Sequence, residues 1–326
     1  MNSIPSQIIQ GDSLKVLKQI DSKSINLIIC DPPYNIKKAK WDKIPNYIEW
    51  LGSILLELQR VLKDNGSFYL FHNDMPTIAK IMNWMEENTK FVFKQMIIWN
   101  KKFNGSKTNG FLQGYNEVEN LRNYQKFAEY ILFYTFQDET GLSKVMLDMN
   151  NFPTLRRYFK DFQLALGLSL PQINKKLGHR KAEHAFYWNS SQWDLPTQET
   201  YEELCKLPLK EYSFVRQEYE VLRQEYESQR YTFNNLKTHH SVWNYELVNS
   251  KNGHITEKPI PLIENIIKYS SNPNDTILDP FCGSGTACLA AQNLNRNWIG
   301  IELNEDYIIA ARNRVKQSIL QTRLIV

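Results

Sequence analysis

Four consecutive residues, Asp31-Pro32-Pro33-Tyr34, come directly after the apolar run Ile25–Cys30. A continuous apolar run predicts a strand that is buried on both faces, and ligands bind at the ends of such strands in open α/β sheets. The two prolines fix the backbone and lack N–H groups, so the carbonyls of this loop have few local partners. A carboxylate, carbonyls and an aromatic ring suit a planar amine, because the oxygens can accept its hydrogens while the ring stacks on its face. Taken alone, the same residues also fit a helix-stopping turn with a capping aspartate.

A second candidate loop, Asp279–Thr286 (DPFCGSGT), lies between the predicted strand Thr276–Asp279 and the predicted helix Ala287–Leu294. Glycines at such a place let the backbone approach a ligand closely, and the start of the helix offers N–H groups. The loop has neither the GxGxxG spacing of a dinucleotide site nor the GK[ST] ending of a Walker A loop. Glu302 follows the next predicted strand, Trp298–Ile301, where an acidic side chain can hold ribose hydroxyls. The alternative for this loop alone is an ordinary glycine-rich turn.

Together the two loops resemble those of the DNA amino-methyltransferases, which transfer a methyl group from S-adenosylmethionine to exocyclic nitrogens of DNA bases. The order of the motifs, with DPPY before FxGxG and a long insert between them, is that of the circularly permuted β group of this family. The resemblance covers both ends of the chain. Further landmarks that agree with it are Gly11–Leu14, Trp99–Lys101, Val242-Trp243 and His254–Pro259.

The resemblance implies a role for each residue of the two motifs. Asp31 and a proline carbonyl, from Pro32 or Pro33, would hold the target amino group, and Tyr34 would stack on the flipped base. The residues implied for S-adenosyl-L-methionine are Asp12 at its adenine, Glu302 at its ribose and, around its methionine part, Asp31, Lys258, Asp279, Phe281, Cys282, Gly283, Ser284, Gly285 and Thr286. No metal ion is expected, since the sulfonium is already an activated methyl donor.

The resemblance also favours adenine as the target base. DPPY rather than SPPY favours the N6 amine of adenine over the N4 amine of cytosine, which is the first alternative. An RNA or protein methyltransferase is the next alternative, and a DNA-binding regulator on the same scaffold is the most distant. Two acceptors would pull the hydrogens of the amine out of the ring plane and free its lone pair, so that catalysis consists of positioning and electrostatics. A base inside a duplex cannot reach such a pocket, so base flipping is implied.

Basic loops are the first candidates for DNA contact. One loop follows DPPY, and another follows the predicted strand Lys94–Trp99 and runs through Asn100–Gly110. Lysines in such loops can touch the phosphates near a flipped base. The lysines predicted to do so are Lys37, Lys38, Lys101 and Lys102.

A pair of short helices is the second candidate. Ser169–Leu177 predicts a helix with Ser169 as its N-cap, which ends at Gly178, and Ala182–Trp188 predicts a second helix. This is the pattern of a helix-turn-helix, whose second helix enters the major groove of DNA. The side chains that it would bring to the groove are His179, Arg180, Lys181 and His184. An αα-corner with solvated basic residues is the alternative.

These sites need an α/β framework, which the alternation of strand-like and helix-like stretches at both ends of the chain predicts. We expect a Rossmann-like, seven-stranded mixed sheet with helices on both faces. The predicted strands are Gln7–Gln10, Ile25–Cys30, Ser67–His72, Lys94–Trp99, Glu129–Thr135, Thr276–Asp279 and Trp298–Ile301. Residues 1–140 would form the DPPY half and residues 246–326 the cofactor-binding half.

Residues 141–245 are predicted to form an inserted, mainly helical domain, because strand signals fade there. By resemblance this insert is the target-recognition domain. Within it, the spacing of Val215, Tyr219, Leu222 and Tyr226 predicts an amphipathic helix.

The composition agrees with a globular enzyme. A net charge of +4 and a pI of about 8.6 permit a nucleic-acid partner without requiring one. Four cysteines without CxxC spacing exclude a disulfide scaffold and favour a reduced interior. We expect neither a signal peptide nor a membrane span, and a cytoplasmic protein that associates with the nucleoid during activity. Double-stranded DNA is the expected partner and a cognate restriction endonuclease a further candidate, with monomer and homodimer both open.

Overall fold

The computed structural model describes residues 6–36, 42–106, 127–136, 152–190, 192–229, 233, 240–248 and 257–323. The chain divides into two compact units: the first comprises residues 1–138 and 232–326, and the second comprises residues 139–231. The insert therefore ends earlier than the predicted residue 245. The reason is that residues 242–244 form a strand of the first unit's sheet.

The first unit contains a single sheet with all eight strands of the described residues. The strands are β1 Gln7–Gln10, β2 Ile25–Cys30, β3 Leu62–His72, β4 Val92–Asn100, β5 Ala128–Thr135, β6 Val242–Asn244, β7 Thr276–Asp279 and β8 Asn297–Glu302. Their order across the sheet is β1-β8-β7-β2-β3-β5-β4-β6. Strand β5 runs antiparallel to both its neighbours, and all other pairs are parallel. The predicted mixed sheet is confirmed, but with eight strands instead of seven, because β6 also pairs with β4.

Ten α-helices surround the sheet or form the second unit within the described residues. They are α1 Ser13–Leu17, α2 Tyr47–Val61, α3 Met75–Asn88, α4 Pro153–Leu166, α5 Leu170–Leu177, α6 Gln198–Cys205, α7 Tyr219–Gln229, α8 Ile260–Ser270, α9 Thr286–Asn293 and α10 Glu305–Arg323. None of these described helices combines the length and the apolar content needed to cross a membrane.

Strand β3 begins earlier than predicted, at Leu62 instead of Ser67. Its ladder with β2 is interrupted, since Ile25 pairs with Leu62 but Leu27 already pairs with Ser67. The residues between Leu62 and Ser67 therefore form a bulge inside the strand.

The sheet brings the two motifs together at the edge formed by the carboxyl ends of its parallel strands. Strands β2 and β7 are parallel neighbours, so the loops that follow Cys30 and Asp279 leave the sheet side by side. Because β5 is antiparallel, its first residues lie at that same edge, next to the end of β4, where Glu129 pairs with Trp99. Strands β1 and β8 contribute the segments after Gln10 and Glu302.

Each unit has its own core of buried apolar residues. In the first unit the strand Ile25–Cys30 is buried almost throughout, as its continuous apolar run predicts. The second unit has its own core, which includes Phe159, Phe162 and Leu222. Helix α7 buries Leu222 as predicted, but it begins at Tyr219, so the predicted helix was too long at its start and Val215 is exposed.

Candidate active site

The DPPY loop lines a cleft with a volume of about 500 Å³. The hydroxyl of Tyr34 donates a hydrogen bond to Asp31 Oδ1 over 2.7 Å. The hydroxyl of Tyr47, at the start of α2, donates to the carbonyl oxygen of Pro33 over 2.7 Å. Each of these acceptor oxygens has a second lone pair, so both can still accept a hydrogen from a ligand.

Four charged side chains form a cluster beside this loop, in which Lys258 and Glu129 are buried and Asp31 and Lys101 are partly buried. Lys258 Nζ lies 2.6 Å from Asp31 Oδ2 and 3.5 Å from Glu129 Oε2. The other oxygen of Glu129, Oε1, lies 2.5 Å from Lys101 Nζ. The side chains of Lys258, Glu129 and Lys101 are 8%, 11% and 16% exposed, so water screens these contacts little. The two positive and two negative charges balance, as buried charges must.

The cluster fixes its own protonation states. Burial alone would raise the pKa of Glu129, but Lys258 and Lys101 outweigh burial and lower that pKa to about 2. Burial alone would lower the pKa of Lys258, but Asp31 and Glu129 outweigh it and raise that pKa above its ordinary value. Burial and the two neighbouring carboxylates raise the pKa of Tyr34. At neutral pH, Glu129 is therefore anionic, Lys258 cationic and Tyr34 a neutral donor.

His72, at the end of β3, packs against the aromatic side of the site. Its ring centre lies 4.7 Å from that of Tyr34 and 6.1 Å from that of Tyr47. Its Nδ1 accepts the backbone N–H of Asp74 over 3.1 Å. Burial lowers the pKa of His72 to about 4, although Asp74, Asp31 and Glu129 act to raise it, so the ring is neutral at physiological pH. Sequence reasoning missed His72, because one histidine after an apolar strand forms no pattern.

The glycine loop Asp279–Thr286 follows β7 and needs glycine at two positions. Gly283 and Gly285 have φ values of +48° and +76°, in the left-handed region that favours glycine. At Gly285 a Cβ atom would also lie 2.8 Å from the Cβ of Ala311 in α10. Asp279 is buried, and burial raises the pKa of its carboxyl to about 8.

Arg314 of α10 fastens the second half of this loop. Its Nη1 donates to the carbonyl and hydroxyl oxygens of Ser284 over 3.3 and 3.2 Å, and to Thr286 Oγ1 over 3.1 Å. Its Nη2 pairs with the buried carboxylate of Glu257. Arg314 and Glu257 were not predicted, since their partners are distant in sequence or belong to the backbone.

Glu302, at the end of β8, is a hydrogen-bond acceptor for the surrounding backbone. Its Oε2 accepts the N–H of Gly283 over 2.9 Å, and its Oε1 accepts those of Leu303 and Asn304 over 2.9 and 2.8 Å. Asp12 caps α1 by accepting the N–H of Lys15 over 3.1 Å.

Most of the predicted site residues meet in one place. Those that line the cleft are Asp12, Asp31, Pro32, Pro33, Tyr34, Lys258, Phe281, Gly283 and Glu302. A smaller recess of about 40 Å³ shares Asp31, Lys258, Phe281 and Gly283 with the cleft and adds Asp279, Cys282, Ser284 and Thr286. Gly285 lines neither space and serves the turn instead. Glu129 was missed by sequence reasoning, although a single charge at the start of an apolar strand is a signal that could have found it.

Comparison with known proteins identifies the family. Residues 25–313 match the family model of the DNA methylases, which covers N6 and N4 methyltransferases. The chain belongs to the DNA methylase family. This match confirms the resemblance that the two motifs predicted.

Relatives and solved structures agree with the family. The methylase is 29% identical over 317 residues to the DNA adenine methyltransferase YhdJ of Escherichia coli K12, which covers 92% of this chain and 79% of that protein. It is 29% identical over 316 residues to the Type II methyltransferase M1.MboII of Moraxella bovis, which covers 93% of this chain and 94% of that protein.

Two solved structures share the fold of the methylase. TTHA0409 of Thermus thermophilus, complexed with S-adenosyl-L-methionine, has a TM-score of 0.52 at 19% identity and covers 96% of this chain and 95% of its own. The cytosine-N4-specific PvuII DNA methyltransferase has a TM-score of 0.54 at 15% identity and covers 96% of this chain and 86% of its own. The predicted Rossmann-like α/β fold is thereby confirmed.

The lysines that were predicted to contact phosphates divide into three groups. Lys101 is only partly exposed, because its ammonium pairs with Glu129 and lies 4.7 Å from the ring centre of Trp99. Lys102 is exposed. Lys37 and Lys38 lie outside the described residues of the methylase.

The predicted helix-turn-helix of the methylase is wrong in its second half. Helix α5 forms as predicted, from a capping box between Ser169 and Gln172 to Gly178, whose φ is +79°. The segment Ala182–Trp188 contains only a four-residue 3-10 helix, Glu183–Phe186. An α-helix would pair the carbonyl of His184 with the N–H of Trp188, but this carbonyl accepts from Tyr187 and Asp194 instead.

The basic residues of this segment differ in their availability. The side chain of Arg180 is 78% exposed, although its Nε lies 2.7 Å from Glu183 Oε1, and Lys181 is exposed. His179 Nε2 lies 2.8 Å from Glu203 Oε2, and His184 Nδ1 lies 2.7 Å from the carbonyl oxygen of Gln192. The two histidines are therefore occupied within the unit, while the contact of all four residues with DNA stays a prediction.

Proposed function

We propose that this DNA methylase transfers a methyl group from S-adenosyl-L-methionine to the exocyclic N6 of adenine in a flipped-out base of double-stranded DNA. The observation that carries the proposal is that Asp31 and the Pro33 carbonyl share one cleft with the glycine loop and Glu302. Amine acceptors and a cofactor loop thus lie side by side. The name of YhdJ, a DNA adenine methyltransferase, supports adenine as the base.

The residues at the glycine loop fit S-adenosyl-L-methionine. A carboxylate has about four lone-pair sites, and backbone N–H groups occupy three of those on Glu302, which leaves one for a ribose hydroxyl. Gly283 presents backbone without a side chain to the cleft. The recess beside Asp279 and Lys258 suits the amino-acid end of the cofactor. When bound, the cofactor supplies an activated methyl group.

The DPPY loop then acts on the target amine. Asp31 Oδ1 or Oδ2 and the carbonyl of Pro32 or Pro33 accept the two amine hydrogens, so that these hydrogens leave the ring plane and the nitrogen lone pair is freed from conjugation with the ring. Tyr47 fixes the Pro33 carbonyl through its hydroxyl, and Tyr34 offers its ring for stacking. After transfer the nitrogen is cationic, and Asp31 takes its proton. These residues contribute positioning and electrostatic stabilisation, and no strong base is needed.

The second unit, residues 139–231, is the part that we assign to target recognition, with Arg180 and Lys181 among its exposed cations. We assign the order DPPY before FxGxG to the circularly permuted β group. The name of M1.MboII, a Type II methyltransferase, supports a restriction–modification setting with a cognate endonuclease. Residence in the cytoplasm, with association to the nucleoid during activity, belongs to the same proposal.

The test is a methylation assay on the full chain. Unmethylated duplex DNA is incubated with the protein and S-adenosylmethionine carrying a labelled methyl group, then digested to nucleosides that are separated and identified. We expect labelled N6-methyldeoxyadenosine. Labelled N4-methyldeoxycytidine would assign the alternative base, and label in RNA but not in DNA, in a parallel reaction, would overturn the proposal.

A further inference from the structure

Glu129 belongs to neither motif, yet it contacts three side chains of the active site. Its Oε2 accepts from the hydroxyl of Tyr34 over 3.3 Å and lies 3.5 Å from Lys258 Nζ. Its Oε1 lies 2.5 Å from Lys101 Nζ. It is the one charged residue in strand β5, AEYILFYT, whose other residues are apolar or aromatic except for Thr135. A buried carboxylate in such a strand needs full pairing to be tolerated, and the strand would pack without it.

The partners of Glu129 are also the partners of Asp31. The hydroxyl of Tyr34 has one hydrogen, and it lies 2.7 Å from Asp31 and 3.3 Å from Glu129. Lys258 Nζ lies 2.6 Å from Asp31 and 3.5 Å from Glu129. Both donors at Asp31 are therefore shared between the two carboxylates.

This sharing decides how readily the oxygens of Asp31 can accept hydrogen bonds from a substrate. Without the charge of Glu129, two buried lysines would face Asp31 as their single anion in the cluster. Lys258 and Tyr34 would then bind Asp31 more tightly, and a target amine would compete with them for its lone pairs.

We propose that Glu129 is a positioning residue for methyl transfer, which draws Lys258 and Tyr34 partly away from Asp31 and so keeps Asp31 able to accept from the target amine. The inference rests on the proposed function and concerns the step after both ligands have bound. Glu129 acts through Asp31, and its own oxygens are already occupied.

The first test compares the steady-state kinetics of Glu129→Gln with those of the wild-type chain. We expect kcat to fall by about 10- to 100-fold, the effect of a small misplacement at the reacting groups. The KM for DNA and the Kd for S-adenosylmethionine should stay within about threefold, because the oxygens of Glu129 are occupied by Tyr34, Lys258 and Lys101 and hold neither ligand. Glu129→Asp, which keeps the charge on a shorter side chain, should recover part of kcat.

The matched control is Glu57→Gln, which also removes a partly buried carboxylate from an ion pair, with Arg60 on α2, away from the cleft. It should leave all three constants near those of the wild-type chain. A purely structural role for Glu129 would instead lower the melting temperature and weaken both ligands together with kcat, which would overturn the proposal.

A double variant separates positioning from simple charge balance. If Glu129 only neutralises Lys101, then Glu129→Gln combined with Lys101→Met should restore kcat, and the proposal is wrong. We expect kcat to stay low, because the uncharged amide oxygen of the Glu129→Gln variant attracts Lys258 and Tyr34 less than the carboxylate does. If the wild-type chain methylates DNA and Glu129→Gln has the same kcat, only the role of Glu129 is overturned. If the wild-type chain methylates no DNA, the proposed function is overturned, and this inference with it.

Discussion

Glu302 allows a prediction whose size follows from its hydrogen bonds. Its carboxylate has one lone-pair site left beyond the three that accept from Gly283, Leu303 and Asn304. In Glu302→Gln the amide oxygen can keep the bonds to Leu303 and Asn304, but the NH₂ group that replaces Oε2 cannot accept from a ribose hydroxyl. Losing one charge-assisted hydrogen bond corresponds to about 1.5–3 kcal/mol. The Kd for S-adenosylmethionine should therefore rise by about 10- to 150-fold.

Isothermal titration calorimetry with the full chain measures this Kd directly. Glu305→Gln, an exposed carboxylate in the first turn of α10, is the matched control and should bind the cofactor like the wild-type chain. The loss of the hydrogen bond from Gly283 affects the protein with and without cofactor. The melting temperature of the variant without cofactor therefore measures the effect of this loss separately. DNA affinity without cofactor should not change. A Glu302→Gln variant with an intact fold and an unchanged Kd would refute the ribose role.

Three further predictions concern other parts of the chain. Asp31→Ala should abolish methyl transfer while the Kd for S-adenosylmethionine, measured by calorimetry, stays within about threefold, since the residue serves the base amine; near-normal turnover would contradict its role. Asp279 has a pKa of about 8 when folded and a lower one when unfolded, so its burial favours folding below the unfolded pKa and opposes it as pH rises toward 8. Asp279→Asn should therefore gain stability over the wild-type chain between pH 5 and pH 8, by at least about 1 kcal/mol or 2–4 °C in thermal melts without cofactor, and a constant difference would show that the carboxyl is not buried. Arg180→Ala should narrow the difference in methylation rate between the cognate duplex and a scrambled one. Lys181→Ala should weaken binding to both duplexes and lower the slope of log affinity against log salt concentration by about one unit. An unchanged preference for the cognate duplex in Arg180→Ala would show that other residues read the DNA sequence.

Local patterns were enough to predict three of the strands. Gln7–Gln10, Ile25–Cys30 and Thr276–Asp279 begin and end at the predicted residues, because each is an apolar or short alternating run that stops at an aspartate or glycine. Strand β6 was missed because three residues are too few for a periodic pattern, and its pairing with β4 is a property of the folded sheet. The second helix after Gly178 was overpredicted, since buried Ala182, Ala185 and Phe186 satisfy a 3-10 turn as well as an α-helix.

The two motifs of the site were predictable because each is contiguous and follows a recognisable strand. The charged cluster was not, because Lys101, Glu129 and Lys258 come from three separate segments, and the antiparallel direction of β5 is what brings them together. A lysine in a basic loop carries no information about the direction of its side chain. Lys101 was therefore predicted to touch phosphates, although its ammonium lies against Glu129 and Trp99.

The pairing of β2 with β7 has a consequence for how the chain is made. Residues 27–28 must find residues 277–278, and β1 pairs with β8, which is synthesised much later. While the ribosome produces the intervening segment, one edge of the apolar strand β2 stays without its native partner, and such open edges recruit other chains. The cofactor loop and the DPPY loop can meet only after synthesis has passed β7. A nascent or truncated chain therefore has an incomplete cleft and an unpaired apolar strand that can bind other chains. Because these pairings join distant parts of the sequence, we expect the sheet to fold slowly, so expression at low temperature or with chaperones should raise the yield of folded protein.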